Sequence, residues 1–164
     1  MARASDRAPA LALATLAVLS ITPAALATTE RGRATAAIVH AIIVNETTPM
    51  SFAAVAPPPS GGAVVLTSAG RISSTRGFIF RGTPAPGTFD AHGLPNHPAS
   101  VSFSSGALVT GPGPAMRLGV FTNNAPPVFD GAARLSFAVG ATLVVNPNQA
   151  PGQYTGTYAV TVNF

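Results

Sequence analysis

Two runs of strict alternation close the chain and demand an extended, two-faced structure there. In residues 134–145, RLSFAVGATLVV, one face collects Leu135, Phe137, Val139, Ala141, Leu143 and Val145. In residues 154–164, YTGTYAVTVNF, one face collects Tyr154, Gly156, Tyr158, Val160, Val162 and Phe164, with Thr155, Thr157, Thr161 and Asn163 between them. Side chains alternate faces along a strand, so each run has one apolar face and one mainly small or polar face. Between them NPNQAPG, residues 146–152, gathers the residues that end strands. The pattern predicts a β-hairpin whose apolar face a second layer must cover. Opposed side chains must share a face. The predicted register therefore closes between Val145 and Tyr154 and sets Leu143 against Gly156, Ala141 against Tyr158, Val139 against Val160, Phe137 against Val162 and Leu135 against Phe164. Gly140, in the middle of the first run, is the place for a bulge.

The remainder of the chain is consistent with that ending. Only 9% of the residues are charged, against roughly 25% in ordinary soluble domains. Sixteen glycines and 16 prolines interrupt any long helix. Residues 34–44, ATAAIVHAIIV, read as a first strand, apolar on both faces, and Asn45–Pro49 as the turn after it. Further short extended pieces are expected at Met50–Phe52, Ala63–Thr67, Arg71–Thr75, Phe78–Phe80, Thr88–Asp90, Val101–Phe103 and Met116–Thr122. In the last of these Met116, Leu118 and Val120 alternate. Loops are expected at 56–62, 83–87, 91–99, 111–114 and 123–131. The predicted class is all-β, about seven to nine short antiparallel strands at the spacing of a β-sandwich.

The chain opens with a short basic start at Arg3 and Arg7 and an apolar run from Ala8 to Ile21, and Ala25-Leu26-Ala27 follows. That is the pattern of a secretory signal peptide, residues 1–27, cleaved after Ala27, with a single domain over residues 28–164. The apolar run falls short of the roughly 20 residues a membrane span needs, and Pro23 breaks it. The membrane is thus met only transiently, in export by the general secretory route to the periplasm, cell surface or medium. There is no cysteine, hence no disulfide framework and no lipid-anchored thiol.

No residue is assigned a catalytic, cofactor-binding or metal-binding role, and no cofactor is expected. His92 and His97 flank a Gly/Pro loop with Asp90 upstream, too few ligands with too little fixed geometry for zinc. His40 shares a strand face with Ile38, Ile42 and Val44, which reads as a partly buried, hydrogen-bonded histidine. The carboxylates Glu30, Glu46, Asp90 and Asp130 are unpaired in sequence, and no nucleophile elbow of the G-x-S-x-G kind occurs. An enzyme is not expected. Net charge is +4, carried by scattered arginines without any lysine, and no basic patch interleaves with aromatics, so nucleic acid is not an expected partner.

The stretch VGATLVVNPNQAPGQYTGTYAVTVNF resembles the C-terminal signature of the bacterial exported domain-of-unknown-function family 4402. Gly152, Tyr154, Gly156, Tyr158, Val160, Val162, Asn163 and Phe164 carry the likeness. PMSFAAV, residues 49–55, resembles the family's opening "L-x-F-G" segment, with Ala53 where glycine is usual. In style the ending is also similar to chaperone–usher pilins and spore-coat-U-like proteins. The resemblance implies an immunoglobulin-like or pilin-like sandwich and no catalytic residue. It implies a structural or adhesive envelope subunit that assembles by β-strand addition with identical or related subunits, served by a periplasmic chaperone and usher. The alternative is a self-contained secreted sandwich in which Ala34–Val44 folds into its own sheet and the loops bind a ligand.

Overall fold

The computed structural model describes residues 41–75 and 77–164. The expected leader and most of the expected first strand, residues 34–40, lie outside them. The described residues contain no helix and form twelve strands. These are β1 (Ile43–Thr48), β2 (Ala54–Ala56), β3 (Gly62–Leu66), β4 (Ile72–Ser74), β5 (Ile79–Arg81) and β6 (Gly87–His92), followed by β7 (Ser100–Phe103), β8 (Leu108–Thr110), β9 (Met116–Asn123), β10 (Arg134–Val145), β11 (Thr155–Gly156) and β12 (Val160–Asn163). Every pairing is antiparallel, and the sheets curl into a half-barrel. The class is all-β and sandwich-like, as expected. The strands outnumber the seven to nine predicted because Gly and Pro cut the chain into pieces of two to four residues, such as β8 and β11, that carry too little alternation to be seen in sequence.

The organiser is β10. Along one edge its first half pairs with β6, from Arg134↔His92 to Val139↔Gly87, and its second half with β3, from Ala141↔Leu66 to Val145↔Gly62. Along the other edge it pairs with β9. The main sheet follows the order β1-β6-β10-β9-β8-β11, with β3 joined to β10 beyond the end of β6 and β4 joined to β3. Gly140 stands where the partner changes from β6 to β3. A side chain there would collide with the Leu66 carbonyl and the Thr67–Ser68 backbone, so only glycine lets the two strands share an edge. The bulge expected at Gly140 is present on the β9 side, as a register shift between Gly140 and Thr142.

The predicted C-terminal hairpin is not formed, and its register is corrected. NPNQAPG does turn the chain, but β11 pairs with β8 (Thr155↔Thr110, Gly156↔Val109) and β12 pairs with β7, from Val160↔Phe103 to Asn163↔Ser100. The physical reason is that the half of β10 nearest the turn is already paired on both edges, by β6 and β3 along one and by β9 from Val139 to Val144 along the other, so the returning chain finds no backbone edge where the hairpin would have to start. The two apolar faces meet across the core instead of side by side. Val162 lies in one buried cluster with Leu135, Phe137 and Val139. All six predicted inward positions of β10 are buried.

Two smaller expectations also change. Asn45–Thr48 is strand, not turn: it continues β1 along β6 down to Thr48↔Thr88, and the Thr47 hydroxyl bonds to Thr88. Polar residues are tolerated there because β1 is an edge strand and largely solvated. In β9, Met116 and Leu118 point inward as expected, but Val120 is 78% exposed with φ of 46°. The bulge opposite Gly140 inserts one extra residue, and Phe121 takes the inward place that simple alternation gave to Val120.

Two hydrophobic clusters result. One gathers Val64, Met116, Leu118, Leu143 and Val145. The other gathers Phe89, Phe129, Leu135, Phe137, Val139 and Val162. Met50, Phe121 and Tyr158 pack against both and join them.

Candidate functional site: an open seam in the half-barrel

The half-barrel is open along one side. One lip is the chain from Val44 to Pro57, comprising β1, the connection and β2; the other is the C-terminal stretch from Gln149 to Val160. The lips run in opposite directions, because Val44 and Glu46 stand with Thr157–Val160 at one end while residues 51–57 face 149–155 along the rest. The larger part of the seam is a groove of about 980 Å³ whose floor includes the core side chains Met116, Leu118, Leu143 and Val145. The smaller part, about 360 Å³, is lined by Val44, Glu46, Phe89, Thr157 and Val160 among others. Pro49, Met50, Gly156 and Tyr158 line both. Among the described residues β2 pairs only with β5, β11 only with β8, β12 only with β7 and β1 only with β6. Each lip therefore retains a backbone edge without a strand on it.

The two tyrosines of the chain hold opposite environments. The Tyr154 hydroxyl donates to the Ala150 carbonyl (2.9 Å) and accepts from the Gly113 amide (2.9 Å) and from Gln149 Nε2 (2.8 Å). Gln149 Nε2 also donates to the Pro114 carbonyl, while Asn146 Nδ2 donates to Ala115 and to Gln149 Oε1. This network ties the NPNQAPG loop to the GPGP turn. Tyr158 lies at the junction of the two clusters, its ring stacked on Phe121 at 5.2 Å and edge-on to Phe89 at 6.2 Å. Its hydroxyl rests over Gly87, where any Cβ would strike it, and Met50 adjoins the same glycine. That hydroxyl is buried without a hydrogen-bond partner among the described residues. Burial, and secondarily the carboxylate of Glu46, pushes the Tyr158 pKa up to about 12.

The residues weighed in sequence are scattered. Asp90 pairs on the solvent face of β6 and β10 with Ser136 and with Arg134 (3.2 Å). The Ser136 hydrogen bond above all holds its carboxyl below the usual value; desolvation opposes it, and the charge and hydrogen bond of Arg134 add smaller lowering effects. His92 sits opposite Arg134 in register, while His97 packs edge-on against the ring of Phe164. Asp130 accepts from the amides of Ala132 and Arg134 and so serves a turn. Glu46 alone reaches the seam. His40 and Glu30 lie outside the described residues. Among the described residues no group of three or more His, Asp or Glu is placed to hold a metal ion. The seam itself was not foreseen. Its one signal was Ala53, standing where the resembling family carries glycine: it lies on a lip with φ of 58°, a conformation that glycine adopts freely.

The family model for "Domain of unknown function (DUF4402)" matches residues 42–164. The chain belongs to this family. The DUF4402 match takes in both lips, the floor and the middle strands between them. No curated protein and no solved structure matches the chain.

Proposed function

We propose that this DUF4402 protein is a non-enzymatic, exported envelope protein, a pilin-like structural or adhesive subunit that assembles by β-strand addition along the seam. The observation that carries the reading is the groove of about 980 Å³, apolar at its floor and bordered by two lips with unpaired edges. An added strand gains main-chain hydrogen bonds from such edges and specificity from the pockets its alternate side chains enter. The residues upstream of β1, with the apolar run at 34–40, have the composition of such a strand. The leader-like start accords with work outside the cytoplasm.

The second reading, a self-contained secreted module, draws on a different fact. Ile43 and Val44, the end of the expected first strand, are held in the protein's own sheet against β6. A groove of this volume also lies at the upper end of those that take small ligands, roughly 300–1,000 Å³. Size-exclusion chromatography with light scattering on residues 28–164 separates the two. Strand addition predicts multimers that vanish when residues 28–37 are deleted. A protein that is monomeric at every concentration, or whose deletion variant assembles as before, is not built by this device.

A further inference from the structure

Resting on the strand-addition reading, we propose that the seam receives residues 34–40 of a second copy, seated so that the His40 imidazole accepts the hydrogen of the Tyr158 hydroxyl. The source of the strand follows from reach. The chain enters β1 at the end where Ile43 faces His92 and meets the seam's main groove only at Pro49. Those seven residues of extended chain span about 23 Å. Residues 34–40, turning back along their own β1, extend at most about 24 Å, enough to regain Met50 but not to lie over the groove beyond it. A second copy has no such restriction.

The pairing follows from chemistry. Tyr158 offers a buried hydroxyl without a partner among the described residues, at the point where the two parts of the seam join. A buried hydroxyl left unpaired is unfavourable, so a strand that supplies an acceptor there is favoured over one that does not. In the segment ATAAIVH the face shared by Ala34, Ala36, Ile38 and His40 has one polar side chain, His40, and a neutral imidazole has one acceptor nitrogen. With His40 at Tyr158, Ala34 falls beside Gly152, since six residues separate each pair. Ala34, Ala36 and Ile38 then face the floor of Met116, Leu118, Leu143 and Val145. The strand runs parallel to the C-terminal lip and antiparallel to the lip at 49–57. It enters from the Val44–Val160 end, and the flexible side chain of Met50 yields to admit the imidazole.

A double-mutant cycle on the full mature chain tests this, with the multimer dissociation constant read by light scattering over a dilution series. His40→Phe and Tyr158→Phe are each expected to raise it about tenfold, one hydrogen bond's worth. The double variant should be no weaker than either single one, since the two groups act on one another. The thermal midpoint of monomeric Tyr158→Phe should not fall, which separates lost pairing from lost folding. Assembly unchanged in both single variants, or losses that simply add, overturns the pairing while strand addition stands. Absence of any multimer in the unaltered protein overturns both.

Discussion

At the scale of single residues, Tyr154 and Tyr158 make a matched pair with opposite expectations. Tyr154→Phe removes a hydroxyl that makes three hydrogen bonds and leaves the Gly113 amide and Ala150 carbonyl short of partners. It should cost about 1–3 kcal/mol in denaturant unfolding. Tyr158→Phe removes a hydroxyl that makes none among the described residues, and stability should hold or rise slightly. The same contrast has a pH signature. The Tyr158 pKa is raised from 10.0 to about 12, so the unfolded chain loses that proton first. Stability from the buried neutral phenol is complete below pH 10 and is lost as pH rises towards 12; Tyr158→Phe should flatten that part of the alkaline unfolding curve. Ala53 offers a third test. Its φ of 58° places Cβ in the left-handed region, at a cost of roughly 1–2 kcal/mol. Ala53→Gly relieves that strain but gives the unfolded chain about 0.4–1 kcal/mol of added freedom. The net expectation is a small gain in thermal midpoint, and a clear loss would mean that the Ala53 methyl packs better than its backbone suffers.

At the scale of elements, β10 and the C-terminal strands show what alternation does and does not specify. Parity placed Leu135, Phe137, Val139, Ala141, Leu143 and Val145 on the buried face, and Val162 on the same core. It said nothing of whether the two runs would share hydrogen bonds, because a face can be covered from across the core as well as from a neighbouring strand. The sensitive residue of β12 is accordingly Val162, buried against Leu135, Phe137 and Val139. Val162→Asp should cost several kcal/mol by burying an unpaired charge. Thr161→Asp, on the exposed face beside it, should cost far less. Equal losses in urea titrations of the two would show that the outer face of β12 is covered as well.

At the scale of the whole molecule, the protein combines a half-barrel with an unclosed side and an upstream apolar segment. A closed barrel has no edges to offer; this one keeps an edge on each lip of the groove. Exposed edges invite association. Cleavage after Ala27 is expected, so N-terminal sequencing of the secreted protein should begin at Thr28. Replacing Ala27 with a bulky residue should block processing, since the peptidase accepts only small side chains there.

What the sequence determined by itself is what depends on local pattern: an all-β class from scarce charge and dense Gly and Pro, the buried face of β10 from its alternation, the break at Gly140, and family membership from the G-x-Y-x-G-x-Y ending. These follow from the period of a strand and from what backbone will tolerate, which neighbours in sequence suffice to fix. The tertiary structure decided which edges pair. β10 took β6, β3 and β9, which forced the chain's last strands onto β8 and β7 and left the seam between Val44–Pro57 and Gln149–Val160. No local signal could choose among those partners, because any strand's backbone can bond to any other's and the choice rests on which packing fills the core. The unpartnered Tyr158 hydroxyl was hidden for the same reason: its solitude is made by Gly87, Phe89 and Phe121, dozens of residues away along the chain.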